Sequence, residues 1–225
     1  MNLNLTATNL GHMPSPADVI FDALREAIVE GRLADGDTLR QDQIAGLFNV
    51  SRIPVREALA RLEAQGLVTT QRHKGAVVSS LSLEEIAEMF EFRALLESEV
   101  IRLSVERISD QALAEAKTYA EAFASETDSG KWPALNRQFH AALYKDSARP
   151  YHLQVISSTL DKVARYLRAQ LVLTHGIARA RLEHEGILRA AAARDAAAAA
   201  ELTRQHILGA SRSLIRFLEK ERAAS

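Results

Sequence analysis

Between Ser15 and Ser80 the breakers and the apolar periods fall in an order that few folds accept. Ser15 or Asp18 can cap a first helix running to about Glu30, whose Val19, Ala23, Leu24, Ala27 and Ile28 follow the helical period. Gly31 ends it, and Gly36-Asp37 marks a turn. A short helix follows over Gln41 to Phe48, then a tight connection, Asn49-Val50-Ser51. Ser51 caps a further helix from Arg52 to about Gln65, with Pro54 in the first turn, where its missing N–H costs nothing. Gly66 stops that helix. Two short β-branched runs, Leu67 to Gln71 and Ala76 to Ser80, are then joined by Arg72-His73-Lys74-Gly75, a hairpin with a basic tip.

Helix, helix, turn, helix, hairpin is the pattern of a winged helix-turn-helix, expected over residues 15–80. Residues 1–14 are polar, with Gly11 and Pro14, and are expected to form a flexible tail. Everything after Ser82 reads helical. Ser82 and Glu85 form a capping box, and breaks fall near Ser109-Asp110, Thr127 to Gly130, Ser147 to Pro150, Thr174 to Gly176 and Arg194-Asp195. About six helices are expected over residues 83–221, with the seam between the two domains at Ser79 to Leu83. The fold class is mainly α: an N-terminal winged helix-turn-helix and a C-terminal all-helical bundle.

Of 225 residues, 47% are hydrophobic and 25% charged, which suits a soluble globular chain and excludes global disorder. No apolar run is long enough to span a membrane, and no secretory signal opens the chain, so a cytoplasmic address is the default. The absence of cysteine excludes a disulfide scaffold, a cysteine nucleophile and a thiolate metal site. The net charge of −1 excludes a basic coat, yet Arg52, Arg56, Arg61, Arg72 and Lys74 against Glu57 and Glu63 leave a local surplus of three positive charges. Such a stripe suits a small DNA-reading face, although charge alone fits a solvated helix face as well.

A recognition helix needs polar or basic residues near its N-terminus, where they reach base edges and phosphates. Ser51, Arg52 and Arg56 meet that need, and the two arginines, four apart, share one face. Gly31-Arg32-Leu33-Ala34-Asp35-Gly36, Val50-Ser51-Arg52-Ile53-Pro54-Val55-Arg56-Glu57-Ala58-Leu59, Arg61-Leu62-Glu63 and Gln65-Gly66-Leu67-Val68 together resemble the GntR family of bacterial transcription regulators. The resemblance implies a homodimer on a short palindromic operator in double-stranded DNA, with Ser51, Arg52 and Arg56 as helix contacts. It also implies a wing of Arg72, His73, Lys74 and Gly75 in the minor groove. Where some relatives carry a base-reading arginine on the short helix, this chain has Asp42, with Arg40 close by.

The seven histidines are His12, His73, His140, His152, His175, His184 and His206. A lone histidine on a helix is more often structural than a ligand, so spacing has to argue otherwise. Asn136 and His140, four apart, project from one helix face and could share a divalent metal. In one straight helix His184 and His206 would stand about 33 Å apart. Asp195, a good N-cap at a break, lies eleven residues from each. A hairpin folded there would bring both histidines to one height, as a metal site between antiparallel helices requires. Spacing leaves a metal site and a structural role both open.

Asn136-x-x-Phe139-His140, Glu183-His184-x-x-Ile187, Arg194-Asp195 and His206 resemble the FCD ligand-binding domain of the FadR branch of GntR regulators. The resemblance implies a helical bundle around a pocket and a divalent ion held by Asn136, His140, His184 and His206. Zinc is the first choice, with nickel or manganese as alternatives. It implies an effector that is a small carboxylic or sugar acid ligating the ion. Two departures stand out. Asn136 replaces the commoner aspartate, and Ser147-Ala148-Arg149-Pro150 replaces a Gly-Asn turn. His152 and His175 match no ligand position and read as ordinary helix residues.

Arg93 and Glu97 interrupt the apolar seam of Leu83, Ile86, Phe90 and Val100 or Ile101. They form either a surface i, i+4 pair or an effector-binding arginine turned into the pocket and oriented by Glu97. The leading reading is a ligand-responsive regulator, with repression relieved by effector the commoner family behaviour. A metal sensor and a metal-dependent hydrolase or lyase are the rivals. The enzyme lacks a positioned acid or base, because Glu183 points about 100° around its helix from His184.

Overall fold

The computed structural model describes residues 14–72, 74–174 and 176–224, with side chains to residue 220. Residues 1–13 of the tail, His73, His175 and Ser225 lie outside the described residues. The chain divides into two compact units between Ser80 and Leu81.

In the first unit, α1 (Pro16–Val29) starts on a capping box in which Ser15 and Asp18 satisfy one another. Of the two alternative caps Ser15 holds the cap position, and Asp18, at the third helical position, completes the box by accepting from the Ser15 N–H. α2 (Gln41–Phe48) ends on Asn49 in the left-handed region, and α3 (Arg52–Ala64) follows. Ile20, Phe21, Leu24 and Ile28 of α1 close on Val55, Ala58, Leu59 and Leu62 of α3 around one core. Arg61 reinforces that seam by lying 4.1 Å over the Phe21 ring while bonding Asp18 at 2.7 Å.

The hairpin is β2 (Val68–Gln71) and β3 (Gly75–Val78), with Gln71 opposite Gly75. A third strand, β1 (Thr38–Leu39), pairs antiparallel with β3, so the sheet order is β1-β3-β2. At the tip Lys74 N–H donates to the Gln71 carbonyl, and Gly75 takes a φ of +81° that a side chain would strain.

The second unit holds six α-helices among its described residues: α4 (Leu83–Val105), α5 (Asp110–Ser125), α6 (Trp132–Tyr144), α7 (Pro150–Leu173), α8 (Gly176–Ala192) and α9 (Ala196–Ala224). A 3₁₀ turn, Lys145–Ser147, joins α6 to the loop before α7. The Ser82–Glu85 capping box starts α4, as the sequence predicts. α4 runs along α9, and α5 packs between α6 and α8. The α8–α9 turn is fixed by Arg194 in the left-handed region and by Asp195, whose Oδ1 accepts from Ala198 N–H at 2.9 Å. No described helix is long and apolar enough to cross a membrane.

Candidate metal centre and nucleic-acid face

His140 projects from α6, His184 from α8 and His206 from α9, and their ligand nitrogens all lie within 4.8 Å of one another. The three rings stand 5.0 to 5.2 Å apart between centroids. The cluster is buried, with His184 only 1% exposed and His206 8%. Phe139 and Phe123 wall His184 at 4.3 and 4.9 Å. Burial, and then the neighbouring histidines, hold His140 and His184 well below the usual imidazole pKa. Both are neutral at pH 7, so their nitrogen lone pairs are available.

Among the described residues, neither nitrogen of His184 and not Nε2 of His140 has a hydrogen-bond partner. Leaving a buried polar atom unpaired costs about 1–3 kcal/mol. A neutral imidazole has one lone pair and one N–H, so Nε2 of His140 and one nitrogen of His184 can each give a lone pair to a cation. Imidazole nitrogens suit zinc and nickel, whereas manganese prefers oxygen ligands.

The histidines are braced from behind. His206 Nδ1 lies 2.7 Å from Glu183 Oε2, and a carboxylate only accepts, so Nδ1 carries the proton. The sequence reading finds no carboxylate tied to the ligand pattern, because Glu183 points away from His184. It does so toward α9, where it meets His206. Tyr144 Oη stands 3.2 Å from His140 Nδ1 and 3.0 Å from Glu97 Oε2. Tyr144 is missed by the sequence reading, although its i, i+4 spacing from His140 on α6 was available as a signal.

Beside the cluster is a cavity of about 20 Å³, lined by Arg93, Asn136, Gln170, Arg179 and His206 among others. Arg93 is 4% exposed and Glu97 is fully buried, which decides against a surface pair. Arg93 Nε donates to Glu97 Oε1 at 2.7 Å, while its NH1 is buried with no partner among the described residues. Asn136 is buried and lines the same cavity. His152, half-buried on α7, packs edge-on against Tyr151 and does not join the cluster.

In the first unit Ser51 occupies the cap position of α3, but its hydroxyl makes no capping bond. Its side chain is exposed, as are those of Arg52 and Arg56. Arg52 pairs with Asp42 of α2, and no described residue pairs with Arg56. The tip residues Arg72, Lys74 and Gly75 are exposed as well. The unit thus presents cations at the start of α3 and at the hairpin tip.

A model of the FCD domain matches residues 88–209, and one of the bacterial regulatory proteins of the gntR family matches residues 16–78. The chain is 30% identical over 196 residues to the HTH-type transcriptional repressor GlaR of Escherichia coli (strain K12), covering 82% of this chain and 89% of that protein. A crystal structure of a GntR family transcriptional regulator from Pseudomonas syringae pv. tomato str. DC3000 is 35% identical, with 93% of this chain and 88% of that one covered and a TM-score of 0.56. E. coli McbR/YncC superposes with a TM-score of 0.77 over 93% of this chain and 100% of that one; at 22% identity this is a likeness of fold.

Proposed function

Because the chain belongs to the GntR family of bacterial transcription regulators and carries an FCD domain, we propose that a small carboxylic or sugar acid, bound at a divalent metal in the helical unit, controls its hold on DNA. The families and relatives matched are DNA-binding regulators and repressors rather than enzymes. Asn136, His140, His184 and His206 would hold the ion, and Arg93 would meet the acid. The observation that carries this reading is the approach of His140, His184 and His206 to within 4.8 Å of one another through one nitrogen each, next to a cavity lined by His206, Asn136 and Arg93, with His140 Nε2, the His184 ring and Arg93 NH1 buried and without a partner among the described residues. When bound, the ion would supply a Lewis-acidic anchor for a carboxylate. Arg93 would add charge-assisted hydrogen bonds, and Glu97 holds its guanidinium in place.

On the DNA side, Ser51, Arg52 and Arg56 would contact the major groove, and Arg72, His73, Lys74 and Gly75 the minor groove of a palindromic operator bound by a homodimer. Binding acts on DNA only through a difference in acid affinity between the DNA-competent and incompetent arrangements.

A second reading has the ion itself as the signal. The size of the cavity favours it, since about 20 Å³ holds about one water and an acid would need it to open. Fluorescence anisotropy on a palindromic duplex selected from random DNA separates the two. Release by one acid from metal-loaded but not EDTA-treated protein supports acid control. Release governed by the ion alone, with every acid silent, supports the sensor.

A further inference from the structure

Arg93, Glu97, Tyr144 and His140 form a continuous buried chain, none of them more than 4% exposed. Arg93 Nε donates to Glu97 Oε1 at 2.7 Å, Tyr144 Oη stands 3.0 Å from Glu97 Oε2, and His140 Nδ1 lies 3.2 Å from Tyr144 Oη. A phenol has one proton. Glu97, a carboxylate facing Arg93, can only accept, so that proton goes to Glu97. The Tyr144 oxygen then has only lone pairs to offer, and His140 must supply the proton of their contact from Nδ1. Nε2 is left bare, and it is the buried atom that no described group satisfies. The other end of the chain is Arg93, which lines the cavity and whose NH1 is buried without a partner among the described residues.

We infer that Tyr144 and Glu97 are positioning residues that hold His140 as its Nδ1–H tautomer, present Nε2 for ligation, and tie that ligand to the cavity arginine. The inference rests on the metal reading for its consequence but not for its geometry. A partner on the far nitrogen sets which nitrogen of a histidine can ligate. If Tyr144 served only to fill the core, its hydroxyl would be dispensable to the imidazole.

The test uses the full chain. Side-chain nitrogen–proton correlation spectra of the metal-free protein report the tautomer of each histidine, and competition with a chromophoric chelator reports the affinity for zinc alone. Wild type is expected to show His140 protonated at Nδ1. Tyr144→Phe keeps the ring and removes the hydroxyl. It should release that tautomer and weaken zinc about 10- to 100-fold, the usual consequence of losing such a partner. His140 protonated at Nε2 in wild type, or zinc affinity within threefold of wild type in Tyr144→Phe, would overturn the inference. If Tyr144→Phe fails to fold, the wild-type spectrum decides. If wild type binds no zinc, the metal reading falls, and the tautomer alone judges whether the chain holds His140.

Discussion

His184 and His206 stand 22 positions apart in the chain, yet their rings lie 5.0 Å apart because α8 and α9 fold back on one another at Asp195. His184 then packs against Phe123 and Phe139 with both nitrogens unpaired among the described residues. An apolar replacement should therefore raise stability while removing a ligand. His184→Leu is expected to unfold at higher denaturant than metal-free wild type, by about 1–3 kcal/mol, and to lose most of its bound metal by elemental analysis. The DNA-binding unit should stay folded. Full metal occupancy in the variant would refute the assignment of His184.

Arg93 and Glu97 are a buried pair, and breaking it strands a charge. Arg93→Ala should cost about 3–5 kcal/mol in denaturant unfolding. Arg93→Lys retains the positive charge but not the planar fork. It is expected to fold and bind metal, while the stabilisation given by the active acid falls at least tenfold in apparent affinity. An undiminished acid response in Arg93→Lys would remove Arg93 from the effector site.

Arg56 is exposed and has no partner among the described residues, so its loss should not touch stability. Arg56→Ala is expected to weaken binding to the selected operator at least tenfold in anisotropy at fixed salt, with an unchanged melting curve. Equal affinity for wild type and variant would sink the docking of α3 in the groove.

Asp18 accepts from the Ser15 cap of α1 and bonds Arg61 of α3. Hydrogen bonds from Ser15, then from Arg61, hold its carboxyl at about 2 against an ordinary 3.8. A carboxyl depressed in the folded state adds stability above its unfolded value, and that stability is lost as pH falls through the folded one. Asp18→Asn should therefore melt lower than wild type at pH 7, and the gap should narrow between about pH 4 and pH 2. A gap independent of pH would show that charge at Asp18 is irrelevant.

Much of the helical unit is legible because its signals are local. The Ser82–Glu85 box, the Asp195 cap and the spacing of His184 and His206 about it all act within a few turns of chain. The burial of Arg93 and Glu97 follows from their place in an apolar period. β1 is not legible: two residues, Thr38 and Leu39, become a strand only by pairing with Val77 and Ala76, far along the chain. The Glu183–His206 bond is hidden for a related reason. It depends on how α8 is rotated against α9, which no spacing within either helix specifies. Tyr144 lies between these cases, visible as a neighbour of His140 but silent about Glu97 on another helix.

The central claim is that metal and acid bind one site together, and thermal denaturation of the full chain tests it most directly. Small carboxylic and sugar acids would be added singly to metal-loaded protein, each with and without EDTA, since a ligand of the folded state raises the melting temperature by mass action. One acid should raise it, and EDTA should abolish the rise. A rise that EDTA leaves untouched, or no response to any acid or to EDTA, would contradict a metal-anchored effector.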